Sequence, residues 1–394
     1  MKTTGLKLSF ILLFVLSFIT SCTTEELEIN DADNFNELES AEASNLTIGD
    51  DFLDYGIYWF NEDDESVKGF NEANNTAINV ASEYYDASKP TFIYFHGWQL
   101  GSSEDNYDRE GFYFEDGNVN TVKFWKDKGW NVGIFYWNQF ADEIEVKDAE
   151  AKIWHAKNGP RRMRYRLSDG SYSELQSPTS NLAKLAANQI NKIVGSNTSG
   201  NVRFAGHSLG SQLATNTALT ISNRVENGVY PASLMPNRLE LLDPFWSADP
   251  KSYLGNDWVG ERSRDYIDTM IDRNNIAITW YASSLILDIG IGDSNEALKD
   301  VVAFQSVRPW YINAIDIPSK HSNVRHSYFW SINFDAPREV TLNFFRRRRA
   351  TGNVAASAST STSRILEMMG DDNEWDQVEG RFTVSPEDDE FERK

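Results

Sequence analysis

The chain has 394 residues, of which 40% are apolar and 13% aromatic, and its formal net charge at pH 7 is -22. This composition is typical of a globular protein and excludes a chain that is disordered or fibrous throughout. The strong negative charge argues against nucleic acid as a partner, because a protein that binds phosphates needs a basic surface.

The negative charge is concentrated at the two ends of the chain. Residues 23–67 contain fifteen acidic residues and neither Lys nor Arg, and residues 371–394 contain ten acidic and three basic residues. The chain between these ends is close to neutral, so the acidity is not a property of the predicted core. The single basic cluster, Arg346 to Arg349, is predicted to pair with the acidic C-terminal residues.

The N-terminus has the pattern of a signal peptide. Lys2 and Lys7 supply positive charge before a twelve-residue apolar stretch, LSFILLFVLSFI. Twelve helical residues span about 18 Å, which is too short to cross a bilayer core of about 30 Å. Residues 1–21 are therefore predicted to be a signal peptide.

Cys22 is the only cysteine, and it directly follows Ile19-Thr20-Ser21. A lone cysteine at this place resembles the lipobox of bacterial lipoproteins, whose cysteine becomes the lipid-modified first residue; the alternative is an ordinary signal peptide. The resemblance implies a membrane anchor at Cys22 and a location in the bacterial cell envelope, at the outer membrane or the cell surface. Residues 22–48, which are acidic and poor in large apolar side chains, are predicted to be a tether. A single cysteine can form no internal disulfide.

Strand-like and helix-like segments alternate through most of residues 49–340. Short, unbroken runs of aromatic and β-branched residues are typical of strands buried on both faces of a sheet. Strands are predicted at 91–97, 130–137, 201–206, 238–243 and 276–284, and helices at 180–194, 211–221 and 262–272. This alternation predicts a mostly parallel sheet with helices on both faces, which is a three-layer α/β fold.

Two segments depart from the alternation. Residues 139–179 form a polar insertion that could be a lid, a rim or a long loop. Residues 350–364, rich in Ala, Ser and Thr, are predicted to be a linker. Residues 341–394 as a whole are predicted to form a C-terminal segment that is basic first and acidic afterwards.

The motif Gly206-His207-Ser208-Leu209-Gly210 has the G-x-S-x-G pattern of a nucleophile elbow. The pattern alone is weak evidence, because three fixed positions of common residues recur by chance about 0.1 times in a chain of this length. Its context is stronger, since a predicted buried strand precedes the serine and a predicted helix with small residues follows it. Ser208 is therefore predicted to be a catalytic nucleophile.

A serine nucleophile needs a base, and the chain has five histidines. His326 is predicted to be the base, with His321 as the alternative, because both lie late in the chain, where an α/β-hydrolase places its histidine. His207 is predicted to pack in the turn, His96 to brace the loop after an early strand, and His155 to lie at the surface.

Asp243 is predicted to be the acid that orients this histidine. It follows the predicted strand in RLELLDPFW, and catalytic groups of parallel sheets collect at the C-terminal ends of strands. Asp288 and Asp293, which follow the next strand, are the alternatives.

Two backbone N–H groups are predicted to form the oxyanion hole. One belongs to Leu209, directly after the serine. The other belongs to Trp98 in the segment FHGW, where Gly97 lets the backbone approach the site closely.

The segments FIYFHGW, VGIFYW, GHSLG and LLDPF occur in this order, and together they resemble the lipase and esterase branch of the α/β-hydrolases related to pancreatic lipase. The resemblance covers about residues 50–335 and implies an α/β-hydrolase fold. It also implies hydrolysis of carboxylic, lipid-like esters through an acyl-enzyme. Ser208, Asp243 and a late histidine would then form the triad, with Trp98 and Leu209 as oxyanion donors.

The sequence departs from that family at two points. The family's histidine usually lies in a cysteine-flanked segment, whereas this region has no cysteine and two histidines. If Ser331-Ile332 aligns with the family's downstream serine, then His321 is the matching histidine. The insertion at 139–179 is not where the family has its lid, so interfacial activation is not implied.

Other functions stay open at this stage. The same triad could act on an amide or a thioester, because nothing in the sequence identifies the leaving group. A surface lipoprotein that kept the fold could also bind a small-molecule or lipid ligand without cleaving it. No metal and no cofactor are expected, because the histidines lack the spacing of metal ligands.

Overall fold

The computed structural model describes residues 52–104, 109–287, 292–342, 347–370 and 374–394. The predicted signal peptide, Cys22 and the predicted tether lie outside the described residues. Within the described ranges, no helix is long and apolar enough to span a membrane.

In the described part of the chain, twelve strands form one large sheet. They are β1 (Gly56–Phe60), β2 (Ser66–Lys68), β3 (Thr91–Phe95), β4 (Asn131–Tyr136), β5 (Val202–His207), β6 (Pro236–Leu242), β7 (Ala277–Ala282), β8 (Ala303–Ser306), β9 (Arg338–Leu342), β10 (Arg348–Val354), β11 (Glu374–Glu379) and β12 (Glu390–Arg393). Two-stranded ribbons outside this sheet pair Phe70–Asn71 with Thr76–Ala77, Tyr113–Phe114 with Val119–Asn120, and Tyr165–Arg166 with Tyr172–Ser173.

The strands lie across the sheet in the order β2-β1-β4-β3-β5-β6-β7-β8-β11-β12-β9-β10. Neighbouring strands from β4 to β11 are parallel, whereas β1 is antiparallel to both β2 and β4. Seven of these strands, in the order β1-β4-β3-β5-β6-β7-β8 with only β1 reversed, have the order and directions of an α/β-hydrolase sheet, and β2 adds an edge strand beside β1. The predicted fold class is confirmed.

Burial explains why the central strands could be identified from the sequence. Every residue of β3, β4 and β5 is buried, as expected for strands covered on both faces. Their aromatic and aliphatic side chains pack against helices above and below the sheet.

Helices cover both faces of the sheet. In the described residues they are α1 (Thr121–Asp127), α2 (Asn138–Ala141), α3 (Val146–Trp154), α4 (Leu182–Val194), α5 (Leu209–Glu226), α6 (Val259–Asn274), α7 (Glu296–Lys299), α8 (Ile317–Ser331) and α9 (Thr362–Met368), with short 3-10 turns at Ala232–Leu234, Ser252–Leu254 and Pro386–Asp388. Helices α3 to α6 pack with one another on one face, and α1, α8 and α9 lie on the other. The molecule therefore has three layers, as predicted.

In the described residues, Asn or Asp side chains cap the starts of three helices, α1 (Asn120), α4 and α8. The Asn181 side chain accepts a hydrogen bond from the Lys184 N–H (2.9 Å) at the start of α4. Asp316 Oδ1 accepts one from the Ser319 N–H (3.1 Å) at the start of α8. Such caps satisfy N–H groups that have no partner within the helix.

The insertion at 139–179 contains most of α2, all of α3 and one of the ribbons. All but one residue of α3 are buried, and the helix packs against α4 and α5. A helix packed in this way belongs to the core, so α3 is neither a lid nor a loop.

The segment predicted as a linker, residues 350–364, is instead part of the folded domain. It begins within β10, and the alanines that follow β10 are buried. Arg203 Nη1 donates to the Ala358 carbonyl (2.7 Å), and Arg238 Nη1 donates to the Thr360 carbonyl (2.6 Å). Small residues here let the chain pass closely over two buried guanidinium groups.

The acidic C-terminal residues extend the sheet beyond β8. Arg348 forms ion pairs with Glu379 (2.6 Å) and Glu390 (3.0 Å), which lie on β11 and β12. The predicted pairing between the basic cluster and the acidic C-terminus is confirmed for Arg348.

Candidate active site

Ser208 lies on a tight turn between β5 and α5, at the C-terminal edge of the sheet. Its backbone has φ 55° and ψ -126°, a conformation that is strained for a residue with a side chain. The Ser208 N–H donates to the Leu242 carbonyl (3.2 Å), and its own carbonyl accepts from the Ser211 N–H (3.1 Å). This strand-turn-helix geometry is that of a nucleophile elbow.

The two glycines of the motif are required by close backbone contacts. A Cβ atom on Gly206 would lie 2.2 Å from the Gly210 carbonyl oxygen, and one on Gly210 would lie 2.0 Å from the Phe95 carbonyl oxygen. Both distances are far shorter than any real contact between these atoms. The elbow prediction requires small residues at these two positions, and these contacts leave room for nothing larger than glycine.

Asp243 follows β6 and lies beside the elbow. Its N–H donates to the Tyr281 carbonyl (2.7 Å). Asp243 Oδ1 accepts from the N–H groups of Ser283 (2.8 Å) and Ser284 (3.2 Å), and Oδ2 accepts from the Ser284 hydroxyl. Three donors from the loop after β7 therefore fix this carboxylate in one orientation.

His321 lies on α8 and is hydrogen-bonded to Asp243. The distance from His321 Nδ1 to Asp243 Oδ2 is 2.7 Å. Because an ionised carboxylate can only accept, the proton of this hydrogen bond belongs to Nδ1. The tautomer that results has Nε2 free of a proton, as a general base requires.

His326, the histidine preferred on sequence grounds, lies elsewhere. It is five residues further along α8, a rotation of about 140° around the helix, and its ring stacks on Phe114 with centroids 4.6 Å apart. Burial, followed by the nearby Arg325 guanidinium, lowers the pKa of His326 well below its usual range. The geometry thus replaces His326 with the alternative, His321, as the partner of Asp243.

Of the alternative acids, Asp293 does not take the place of Asp243. Asp293 accepts a hydrogen bond from the Asn295 N–H (2.9 Å), and its own N–H donates to the Trp246 carbonyl (2.9 Å). These contacts hold a loop and involve no histidine. Asp288 lies outside the described residues.

Two buried histidines brace the site in neutral form. His207 Nε2 contacts the His321 carbonyl (2.8 Å), and burial, together with the nearby His321, lowers the pKa of His207 to about 3. His96 Nε2 accepts from the Trp137 N–H (3.0 Å), and burial lowers the pKa of His96 to about 4. The N–H of Nδ1 in His96 then donates to the Gly97 carbonyl (2.9 Å), which agrees with its predicted bracing role. His155, at the end of α3, is partly exposed.

The loop after β3 approaches the serine closely. A Cβ atom on Gly97 would lie 2.8 Å from Ser208 Cβ, so only glycine fits at this position. The Trp98 indole N–H donates to the Glu143 carbonyl (2.7 Å), which anchors the loop to the insertion. Leu209 begins α5, where backbone N–H groups and the helix dipole favour negative charge. Both predicted oxyanion donors therefore belong to segments that border Ser208.

A partly buried ion pair that sequence reasoning missed lies behind the histidine helix. Arg325, one turn after His321 on α8, pairs with Glu110, which also accepts from the Tyr94 hydroxyl (2.6 Å). Burial by itself would raise the pKa of Glu110, but the Arg325 guanidinium holds that pKa well below its usual range. The pair fixes α8 against the end of β3, and with it the position of His321.

A fully buried acid, Glu150 on α3, supports the elbow from the other face. Its carboxylate accepts from the Gln212 side chain (2.6 Å) and from the Ser247 N–H (2.9 Å), and burial raises its pKa. Gln212 also donates to the Phe245 carbonyl (2.7 Å), and the Phe245 N–H donates to the Ser208 carbonyl (3.3 Å). A continuous hydrogen-bond network thus joins α3 to the nucleophile turn. No sequence signal marked Glu150, because its partners lie about 60 and 100 residues away.

Among the described residues, no group of three or more His, Cys, Asp and Glu side chains is arranged to hold a metal ion. The polar side chains of the site are instead engaged with one another and with backbone groups.

No protein-family model and no curated protein sequence matches the chain. Similar solved structures include TT1662 from Thermus thermophilus, with 11% identity over 61% of this chain and 88% of that chain and a TM-score of 0.30. A second is a hyperthermophilic esterase from Pyrobaculum calidifontis, with 13% identity over 64% of this chain and 76% of that chain and a TM-score of 0.30. A third is LpqC, a poly(3-hydroxybutyrate) depolymerase from Bordetella parapertussis, with 13% identity over 60% of this chain and 68% of that chain and a TM-score of 0.27. At these identities and TM-scores the similarity does not indicate a reaction or a substrate for this chain.

Proposed function

We propose that this protein is a serine hydrolase that cleaves carboxylic esters through an acyl-enzyme. Ser208 is the nucleophile, His321 the base and Asp243 the acid that orients it. The observation that carries this proposal is the 2.7 Å hydrogen bond between His321 and Asp243, made beside a strained serine turn at the same edge of the sheet. Nucleophile, base and orienting acid are the three parts that such a reaction needs.

In the first half of the reaction, His321 Nε2 takes the proton of the Ser208 hydroxyl as Oγ attacks the ester carbonyl carbon. The electrons of the carbonyl π bond move to its oxygen and form a tetrahedral oxyanion. When this intermediate collapses, the bond to the leaving oxygen breaks, and the alcohol departs with the proton from His321. Water then repeats the sequence on the acyl-enzyme and releases the acid.

The remaining groups stabilise charge during these steps. Asp243 stabilises the imidazolium that forms on His321, and its three hydrogen bonds from the loop after β7 keep it in place. The N–H groups of Leu209 and Trp98 are proposed to bind the oxyanion, in the segments that border the serine. Such preorganised donors commonly supply the largest single electrostatic contribution to catalysis.

The proposal is tested by labelling the purified protein with a fluorophosphonate, which reacts with activated serines. We expect labelling of the wild type and none of Ser208→Ala, with Ser173→Ala, a change outside the site, labelled like the wild type. Hydrolysis of ethyl acetate should follow the same pattern. Equal labelling of the wild type and Ser208→Ala would contradict the proposal and favour a protein that only binds its ligand.

Matched acyl compounds distinguish the ester reaction from its close alternatives. We expect the ethyl ester of a given acid to be cleaved faster than the ethyl amide of the same acid, because an amide nitrogen is the poorer leaving group. If the thioester or the amide of the same acid is cleaved faster than the ester under the same conditions, the protein is a thioester or amide hydrolase that uses the same triad.

We further propose that the chain is anchored in the bacterial cell envelope by lipid modification of Cys22. The support is the sequence pattern of residues 1–22 alone. Expression in a bacterial host fed with an alkyne fatty acid should label the wild type in the membrane fraction and leave Cys22→Ser unlabelled. An unlabelled wild type would show that residues 1–21 act as an ordinary signal peptide or not at all.

A further inference from the structure

Asp142 lies directly after α2, and its side chain is fully buried. Its carboxylate accepts two hydrogen bonds from backbone N–H groups of the loop after β3, at Oδ1 from Gly101 (2.8 Å) and at Oδ2 from Ser103 (3.0 Å). We name residues 97–103 the oxyanion loop, because they include Trp98, the proposed oxyanion donor. A buried carboxylate is unfavourable unless such donors satisfy it, so both oxygens of Asp142 hold backbone groups of this loop.

The sheet brings Asp142 and the oxyanion loop together. β3 and β4 are parallel neighbours, so the chain leaves both strands at the same edge, where Ser208 also lies. The oxyanion loop follows β3, and α2 with Asp142 follows β4. The two hydrogen bonds therefore join neighbouring loops, across 41 and 39 residues of sequence.

The oxyanion loop is fixed at its other end by the serine turn. Gly97 lies so close to Ser208 that a Cβ atom on it would be 2.8 Å from Ser208 Cβ. In the chain, the Trp98 N–H lies between this contact and the two hydrogen bonds to Asp142. Both sides of the proposed oxyanion donor are therefore held, and loss of the Asp142 carboxylate would release one of them.

Asp142 itself lies on a rigid support. Glu143, next in the chain, forms a fully buried ion pair with Lys152 (2.7 Å), and Lys152 also donates to the Phe140 carbonyl in α2 (3.0 Å). The Glu143 carbonyl accepts from the Trp98 indole N–H (2.7 Å). The turn that carries Asp142 is thus joined to α3 on one side and to the oxyanion loop on the other.

A second acid in the insertion provides a contrast. Asp148 on α3 is also buried, and it pairs with Arg161 (2.8 Å), which is about half exposed. Neither residue of this pair belongs to the oxyanion loop. Removing the negative charge of Asp148 therefore perturbs the insertion without releasing a hydrogen bond of that loop.

We propose that Asp142 is a positioning residue of the oxyanion hole. It is buried behind the oxyanion loop and holds it so that the Trp98 N–H meets the oxyanion that forms on the ester carbonyl. An oxyanion donor acts only within hydrogen-bond distance of the oxyanion, and a displacement of about 1 Å can cost about a hundredfold in rate. The proposal rests on the proposed function, and it gives the insertion at 139–179 a part in the reaction.

The first measurement is the hydrolysis of ethyl acetate by Asp142→Asn. This change turns one acceptor of the side chain into a donor that faces a backbone N–H. It should lower kcat by about tenfold or more with little change in KM, because the interaction that is weakened is made in the transition state.

The second measurement compares ethyl acetate with its thiono analogue, in which sulfur replaces the carbonyl oxygen. Sulfur is a weak hydrogen-bond acceptor, so cleavage of the thiono ester gains less from the oxyanion hole. We expect the wild type to cleave ethyl acetate faster. The ratio of kcat/KM for ethyl acetate to that for the thiono ester therefore reports on the oxyanion hole.

This ratio separates positioning from general damage to the fold. In Asp142→Asn it should fall by about fivefold or more, since the oxygen ester loses more than the thiono ester when the Trp98 N–H is displaced. Asp148→Asn is the matched control, and it should lower the free energy of unfolding but leave the ratio unchanged.

Hydrogen exchange of the wild type gives a measurement that needs no variant. The N–H groups of Gly101 and Ser103 should exchange about a hundredfold or more slowly than in an unstructured peptide. Exchange requires that their hydrogen bonds to a buried carboxylate open first.

The possible outcomes separate this inference from the proposed function. If ethyl acetate is cleaved in a Ser208-dependent way and a folded Asp142→Asn variant keeps the wild-type ratio, the inference is wrong and the proposed function stands. Exchange of Gly101 and Ser103 as fast as in an unstructured peptide would also contradict it, and decides the question if Asp142→Asn does not fold. If no ester is cleaved and Ser208 is not labelled, both fail.

Discussion

His321 Nδ1 and Asp243 Oδ2 lie 2.7 Å apart, although 78 residues separate them in the chain. The two residues come from different elements, one from the loop that ends β6 and one from the second turn of α8. Both elements reach the edge of the sheet where Ser208 lies on its turn. This hydrogen bond therefore identifies which of the two late histidines belongs to the site.

Matched substitutions of the two histidines test this assignment. His321→Gln should lower kcat/KM for ethyl acetate by about a thousandfold or more, because glutamine cannot take the serine proton. His326→Gln should change it little, since the His326 ring stacks on Phe114 and faces away from Asp243. Steady-state kinetics and fluorophosphonate labelling give two independent measurements.

Circular dichroism and thermal unfolding serve as controls that both histidine variants fold. A folded His326→Gln variant that has lost activity, together with an active His321→Gln variant, would return the role of base to His326.

Asp243→Asn should lower kcat by a factor of about ten thousand while leaving the fold intact. The amide can donate to His321 Nδ1, which would favour the tautomer with its proton on Nε2, the wrong nitrogen for a base. Asp293→Asn is the control, because Asp293 holds a loop and makes no hydrogen bond to a histidine among the described residues. Comparable losses in the two variants would show that Asp243 has no special role.

Ser208→Gly should remove activity yet raise the free energy of unfolding by about 1 kcal/mol. The backbone at Ser208 has φ 55° and ψ -126°, and such strain costs about 1–3 kcal/mol. Glycine relieves it but loses about 0.5–1 kcal/mol through its more flexible unfolded state. Urea unfolding of Ser208→Gly and Ser208→Ala checks this, since alanine removes the hydroxyl without relieving the strain. If the two variants are equally stable, the turn stores no strain.

Much of the fold could be predicted because its signals are local. The strands at 91–97 and 130–137 are continuous apolar runs buried on both faces, and the structure has strands at Thr91–Phe95 and Asn131–Tyr136. The elbow was equally visible, because its glycines, its serine and the flanking elements are contiguous in sequence.

The choice of histidine could not be made from chain order, because it depends on the rotation of α8. His321 shares its helix face with Val324 and Tyr328, which are buried against the sheet, whereas His326 lies on a different face. A prediction that residues 317–331 form one helix, beginning at the Asp316 cap, would have placed the two histidines on different faces.

The linker prediction for residues 350–364 failed for a different reason. Small residues indicate flexibility by composition alone, but here they pack over Arg203 and Arg238.

The interior of the sheet contains an ion pair whose loss should be costly. Arg238 and Glu240 are fully buried on β6 and lie 2.5 Å apart. Glu240→Gln leaves the Arg238 guanidinium without a countercharge and should lower the free energy of unfolding by about 3–5 kcal/mol. Glu226→Gln, at an exposed pair with Arg273, should cost less than about 1 kcal/mol.

Urea unfolding measures both ion-pair variants. The double variant Arg238→Met, Glu240→Leu should recover part of the loss, because it leaves no buried charge unpaired. It should not recover all of it, since Arg238 also donates to the Thr360 carbonyl (2.6 Å) near the C-terminus. Equal, small effects at the buried and exposed pairs would contradict this account.

Acid should destabilise the protein through its buried histidines. The pKa of His207 is lowered to about 3 and that of His96 to about 4, whereas an unfolded histidine titrates near 6.5. Between these values the unfolded state binds more protons than the folded state, so stability is lost as pH falls below about 6.5. At pH 5 each histidine accounts for about 1–2 kcal/mol of this loss.

His207→Gln should therefore show a smaller drop in unfolding free energy between pH 7.5 and pH 5 than the wild type, even if its stability at pH 7.5 is lower. His155→Gln changes a partly exposed histidine and should show the same drop in unfolding free energy between pH 7.5 and pH 5 as the wild type. If His207→Gln also shows the wild-type drop, then His207 accepts a proton without unfolding the protein.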